Sequence, residues 1–203
     1  MNGPAFALGN GPTLPADPSP LAGQITIGVN RILESGFTPT AVAWCDREVW
    51  EEQRHLLENG DAMLLTTISN YPRHHKPHHI LKLRRSDHDK GNPADFCASG
   101  STGTAAARLL LALGFDPVYC LGMGGEYDED GRTDFWGTNA RHNSKARETF
   151  AREMEKLQRY YGHHVYRTDD PAVWKLAPPR TQEEWREWLD KELRRAGVEV
   201  MSP

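Results

Sequence analysis

Cysteine is scarce in this 203-residue chain: Cys45, Cys97 and Cys120 are the only three, and no two share a C-x-x-C spacing. That excludes a disulfide framework and points to a reducing, cytoplasmic setting. Long apolar runs are missing too. The longest, Ala105 to Phe115, is interrupted by Arg108 and Gly114, well short of the about 18 apolar residues a membrane span needs. No basic segment precedes the first apolar run, so no signal peptide is expected. Neither sign of charge dominates. Lys and Arg number 24 against 28 Asp and Glu, a net −4, which argues against a generally basic nucleic-acid coat and leaves room for a local basic patch. No internal repeat is visible, which argues against a solenoid or propeller.

What is there fits one medium globular domain. Apolar residues make up 38% of the chain before its 18 Gly are counted, enough to argue against wholesale disorder. Histidine is the compositional oddity: four of the nine fall between His74 and His79.

Strands and helices alternate along the chain. Strands are predicted at residues 5–9, 24–29, 39–44, 62–68, 117–121 and 164–167. Helices are predicted at 50–59, 102–113, 144–161 and 181–196. In the third helix Phe150, Met154, Leu157 and Tyr161 recur at i, i+4, i+7 and i+11. The last opens with Thr181 and Glu184, a capping box, and carries Trp185, Trp188 and Leu189 as its apolar face. Gly114 stands where a helix C-terminus wants glycine. Four prolines between Pro12 and Pro20 predict a stiff, extended loop. Residues 73–89 are polar and broken by Pro77, and 90–100 are loop-like. The pattern predicts an α/β fold: a single Rossmann-like, doubly wound, mostly parallel sheet with helices on both faces. The domain is expected to span 1–203, with 70–100 a polar acceptor-side or lid insertion and 181–197 a C-terminal helix. In such a sheet ligands sit beyond the carboxyl ends of the strands. Those ends carry Gly9, Asn10 and Gly11, then Asn30, then Asp46, then the loop at Gly122.

Several segments there are chemically suggestive. Gly9-Asn10-Gly11-Pro12 follows a strand directly. Its glycines suit close backbone approach and its amides can cradle a phosphate, although a plain tight turn reads the same way. It is not G-x-G-x-x-G. Ser101, Thr102 and Gly103 open an Ala-rich helix whose free amides make an anion site, with Ser or Thr as its N-cap. His142, just before the third helix, has the chemistry of a general base, or is a surface histidine. Asp128 and Asp130 have a spacing that can hold Mg²⁺ or Mn²⁺ between donor phosphates, or form an acidic turn. For the basic strip Arg73 to Arg85 the readings are a solvated loop, a phosphate or acceptor contact, and a metal site, in that order.

The order of these pieces is more specific than any one of them. Ala7-Leu-Gly-Asn-Gly-Pro-Thr-Leu14, Asn30 and Asp46 resemble the opening of the bacterial sialyltransferases that build lipo-oligosaccharide. Ser101-Thr-Gly103 and Ala112-Leu-Gly-Phe-Asp-Pro-Val-Tyr-Cys-Leu-Gly122 resemble the second half of that family's nucleotide site. His142-Asn-Ser-Lys145 is similar to the segment holding its catalytic His, and Tyr166 to Pro178 to its closing strand and loop. The resemblance runs in patches over residues 5–178. The same blocks occur in a wider superfamily with motility-associated glycosyltransferases and 6-hydroxymethylpterin diphosphokinases, so it implies a nucleotide-binding scaffold more firmly than one reaction.

The resemblance implies a cytoplasmic glycosyltransferase that moves a sugar from a CMP- or UDP-linked donor to an acceptor hydroxyl with inversion. The acceptor is a glycan, a protein or a hydroxylated base in DNA. Asn10 and Asn30 would contact the donor, Ser101, Thr102 and Gly103 would hold its nucleotide, and His142 would be the general base. Asp46 stands where the sialyltransferases carry Asn. Gly124 stands where they have Asp, and Tyr127 is the available tyrosine for the leaving phosphate. No cofactor beyond the nucleotide-sugar co-substrate is implied, with Asp128 and Asp130 the place for a divalent metal if one is used. Two other readings remain: a Mg²⁺-dependent diphosphokinase of the pterin type, and a non-catalytic nucleotide-binding module.

Overall fold

Every residue of Ala5–Leu8, Thr26–Val29, Ala41–Trp44, Met63–Thr67 and Val118–Leu121 is buried, without alternation. Strands covered on both faces read this way, and parallel sheets are covered on both faces. The computed structural model describes residues 2–67, 79–83, 95–96, 101–123, 134, 144–168 and 170–198. In it the five strands are β1, β2, β3, β4 and β7. His79–Leu83 is β5, Asp95–Phe96 is β6 and Val165–Arg167 is β8. All are parallel, in the order β6-β5-β4-β3-β2-β1-β7-β8.

Alternate side chains of each strand feed two cores. On one face Ala5, Ala7, Ile27, Val29, Ala41, Ala43 and Val118 meet three helices: α2 (Thr102–Ala112), α3 (Ser144–Tyr161) and α4 (Gln182–Arg195). Alanines on both sides, Ala5 and Ala7 below and Ala105 to Ala107 above, let α2 lie close on the strands. On the other face Phe6, Leu8, Val42, Trp44, Leu64, Tyr119 and Leu121 pack under α1 (Arg47–Asn59), the 3₁₀ turns Ser19–Leu21 and Ile32–Ser35, and Trp174. Helices on both faces of a parallel sheet are the doubly wound arrangement that the strand–helix alternation predicts.

The caps are local chemistry. Gly114 has φ 85°, and the amides of Gly114 and Phe115 donate to the carbonyls of Leu111 and Leu110, closing α2 in a Schellman motif. Thr181 and Glu184 form the capping box of α4. The chain from Lys175 to Gln182 is tied to the amino end of the sheet. Lys175 N–H donates to the Tyr119 hydroxyl at 2.8 Å, and the Gln24 amide both receives from and donates to the Ala177 backbone, at 2.8 and 3.0 Å. Trp185 Nε1 donates to Gly23 O at 2.7 Å, and Gln182 to Pro39 O at 2.6 Å.

Three expectations change. Residues 79–83, read as part of a polar loop, are a strand, and 95–96 add a short last one. Backbone pairing with β4 decides this where side-chain pattern is weak. The Pro12 to Pro20 segment is turned rather than extended. The Asp17 carboxylate accepts from the Ser19 amide and hydroxyl, both at 2.9 Å, and Leu21 N–H donates to Pro18 O. The Ser19 amide holds the Asp17 carboxyl below its usual range. Finally, α1 starts at Arg47, three residues earlier than its apolar pattern implies, with Asp46 at the N-cap position.

Candidate functional site

β1 has β2 on one side and β7 on the other, so the winding direction reverses between β1 and β7. Loops leaving the carboxyl ends of these two strands diverge at such a point and open a crevice. Here the loops are first locked to one another. Gly9 N–H donates to Leu121 O at 2.8 Å, and Gly11 N–H to Gly122 O at 2.7 Å. A Cβ on Gly9 would lie 2.3 Å from Gly122 O, and one on Gly11 2.6 Å from it. Both distances are inside contact, so each glycine is required by the neighbouring backbone. Gly122 itself has φ 60°.

Met123 extends this contact to α2. It is buried, and its side chain would lie 2.9 Å from a Cβ on Gly9 and 3.2 Å from one on Gly103. The methionine thus spaces the amino end of α2 from the β1 loop. At that end Ser101 Oγ accepts from Thr104 N–H at 3.4 Å, and Thr104 Oγ1 donates to Ser101 O at 3.0 Å. The amides of Thr102 and Gly103 precede the first intrahelical bond, from Ala105 to Ser101, and form the positive end of the helix dipole. Gly9, Asn10, Gly11, Ser101, Thr102 and Gly103 are therefore brought together around Gly122 and Met123. Sequence reasoning took Gly122 as a strand end and did not single out Met123, since a methionine after a glycine carries no signal of its own.

Further along the carboxyl edge stand Asn30 and Asp46. Asn30 is the one non-glycine residue with positive φ, 52°, among the described residues, a conformation asparagine tolerates. Its N–H donates to Ala43 O at 2.9 Å, which fixes it against the end of β3. The side-chain oxygens of Asn10 and Asn30 are closed off from solvent with no hydrogen-bond partner. So is the indole nitrogen of Trp44, the last residue of β3, whose ring stacks on Trp50 at 5.6 Å. Buried polar atoms left unmatched carry a cost of about 1–3 kcal/mol each, so each calls for a partner such as a water, an ion or a ligand. Asp46 is exposed and its side chain does not cap α1. Beside it Arg47 pairs with Glu51 at 2.8 Å, and beside Asn30 Arg31 pairs with Glu34 at 2.7 Å.

His142, Tyr127, Asp128 and Asp130 lie outside the described residues, as does most of the basic strip 73–85. Among the described residues no group of three His, Cys, Asp or Glu side chains is placed to hold a metal ion, and no helix is long and apolar enough to cross a membrane.

No protein-family model matches the chain, and no curated protein matches it by sequence. Solved structures do share its fold. One is the MAf glycosyltransferase from Magnetospirillum magneticum AMB-1, with a TM-score of 0.57 and 15% identity over 98% of this chain and 38% of that one. Another is the sialyltransferase CstII from Campylobacter jejuni in complex with a substrate analogue, CMP-3FNeuAc. Its TM-score is 0.53, with 16% identity over 88% of this chain and 87% of that one. At such identities the likeness establishes the fold alone, a Rossmann-like α/β arrangement. The chain spans well under half the length of the MAf glycosyltransferase.

Proposed function

We propose that this chain transfers a sugar from a nucleotide-activated donor, CMP- or UDP-linked, to an acceptor hydroxyl. The observation that carries the reading is the convergence of the Gly9–Gly11 loop, the Gly122–Met123 loop and the amino end of α2 at the switch point of the sheet. Neutral amides gathered at a helix N-terminus suit a phosphate. The likeness of fold to two glycosyltransferases, one of them solved with CMP-3FNeuAc, supports a sugar nucleotide as the phosphate's bearer.

In this reading Ser101, Thr102 and Gly103 hold the donor phosphate, Asn10, Asn30 and Asp46 hydrogen-bond its nucleoside and sugar, and Tyr127 reaches the leaving phosphate. His142 takes the proton from the acceptor hydroxyl as its oxygen attacks the anomeric carbon. The bond from that carbon to the phosphate oxygen breaks, the nucleotide departs with the electron pair, and configuration inverts. The acceptor is a glycan, a protein or a hydroxylated base in DNA.

A thermal-shift screen with CMP, CDP, UDP, GDP, ADP and their sugars tests binding. A true donor raises the melting temperature by mass action, equivalent to about 2.7 kcal/mol at a hundredfold excess over Kd. With the donor known, His142→Ala is expected to slow transfer by about 10²- to 10⁴-fold and leave the thermal shift in place. Unchanged turnover removes His142 from the mechanism. Transfer is expected to persist in excess EDTA; its loss there would favour the diphosphokinase reading.

A further inference from the structure

We infer that residues 170–180 form a strap on which two copies of this chain associate about a two-fold axis. The large apolar side chains exposed among the described residues are Tyr160, Tyr166, Val173 and Leu176, all between residues 160 and 176. The stretch from Pro171 to Pro179 carries one charge, Lys175, and all of it except Trp174 and Ala177 is exposed. An exposed run this apolar marks a surface that meets another molecule. The strap is also held still. Trp174 turns inward against Phe6, ring centroids 5.4 Å apart. Lys175 N–H donates to the Tyr119 hydroxyl, Gln24 holds Ala177 by two hydrogen bonds, and Arg180 N–H donates to Gly23 O at 3.0 Å. A Cβ on Gly23 would lie 2.6 Å from Pro179 Cβ, so the strap is seated on that glycine. With the backbone fixed, Val173, Leu176 and the prolines are presented outward with little ordering left to lose on association. Beside the strap a row of rings, Phe6, Tyr119 and Tyr166, crosses β1, β7 and β8 and ends on Tyr166, 43% exposed, at the β8 end of the sheet.

The ends of the strap carry opposite charge, and this selects the occupant. Asp170 begins it and Arg180 closes it, and both are exposed. Asp170 is placed by accepting from Ala172 N–H at 2.9 Å, and the Arg180 guanidinium by the Trp185 ring, 4.6 Å away. Glu184 shares the field of Arg180, but its carboxylate is held in the capping box with Thr181. Lys175 is the midpoint. A second strap laid antiparallel over the first, with the two-fold axis at Lys175, sets each Asp170 against the Arg180 of the other copy and Val173 against Ala177. A parallel strap sets like charge against like. A surface that complements itself under a two-fold rotation is what an isologous dimer needs. Lys175 meets its own copy near the axis, where its four-carbon stem lets the ammonium turn to solvent. Ten residue steps reach at most about 36 Å, so the strap and Tyr166 make an interface at the small end of the usual range, and the dimer is a weak one. From Lys175 on, the strap lies at the amino end of the sheet, so the crevice at the carboxyl ends stays open in both copies.

Sedimentation velocity of the full chain over a range from about 5 to about 500 µM tests this. The expected mass is 22.9 kDa at the low end, rising toward twice that at the high end. Val173→Asp combined with Leu176→Asp, both at exposed positions, is expected to keep the chain monomeric throughout, with a melting temperature at low concentration close to wild type. Asp170→Lys and Arg180→Glu each turn two attractive contacts per dimer into repulsive ones and are expected to weaken association about tenfold. Combined, they are expected to bring it back to within about threefold of wild type. The Asp170 bond to Ala172 is not restored by the second change, so recovery reports the contact between copies alone. A chain that is monomeric at every concentration overturns the inference, whether it stays free or sediments with vesicles of anionic lipid. So does a dimer that the two introduced aspartates leave intact, or a combined charge reversal that fails to recover association.

Discussion

Asn30 combines a backbone demand with a chemical one, and the two can be separated. Its φ of 52° suits glycine as well as asparagine, whereas alanine pays a steric penalty there of about 1–2 kcal/mol. Asn30→Gly is therefore expected to keep a midpoint in urea close to wild type, and Asn30→Ala to lose about 1–2 kcal/mol. Both remove the closed-off amide oxygen, so both are expected to weaken donor binding; equal stability of the two variants would remove the backbone argument. Gly11 is a sharper case. A methyl group there would sit 2.6 Å from a backbone carbonyl that cannot swing away, so Gly11→Ala is expected to cost up to about 3 kcal/mol in chemical denaturation. These glycines and Asn30 were legible in the sequence because strand ends followed by Gly or Asn carry backbone information. Met123 was not, since what it spaces comes from β1 and α2, far away in the chain. The sequence leaves Gly9 and Gly11 between a ligand cradle and a plain tight turn; in the structure both lie against the Gly122 carbonyl, where a Cβ would clash.

Helix boundaries carry their own chemistry. The Thr181 amide donates to the Glu184 carboxylate at 2.7 Å and holds its pKa below the usual range. A carboxyl group lowered in the folded state contributes stability above its unfolded-state value of about 4.3 and loses it as pH falls through the lower folded value. Helicity and global stability followed from about pH 6 to about pH 3 are thus expected to fall more steeply in wild type than in Glu184→Gln. Thr181→Ala is expected to cost about 1 kcal/mol at neutral pH. α2, α3 and α4 were legible because their apolar spacing and caps are local signals. β5 and β6 were not. His79-Ile-Leu-Lys-Leu83 carries a weak strand pattern, and Asp95–Phe96 is two residues long. Only pairing with a neighbouring strand gives either its structure.

The whole molecule is held by contacts of long range. Gln24 and Ala177 exchange two hydrogen bonds across 153 positions of the chain. Gln24→Ala leaves the Ala177 backbone groups without their partners, so a loss of about 1–3 kcal/mol is expected. An unchanged m-value in urea would show the loss to be global and cooperative. Alternating strands and helices made the α/β class readable. The order of the strands was not, because nothing in β7 states that its place is beside β1. That placement has a consequence during synthesis. β1 is made first, yet one of its edges stays open until β7 emerges 113 residues later. At ordinary translation rates that is about 6 to 23 s. Throughout it, the apolar Ala5–Leu8 segment offers an unpaired edge to any other chain. The nascent protein is thus most open to aggregation, and most in need of a chaperone, until β7 is made.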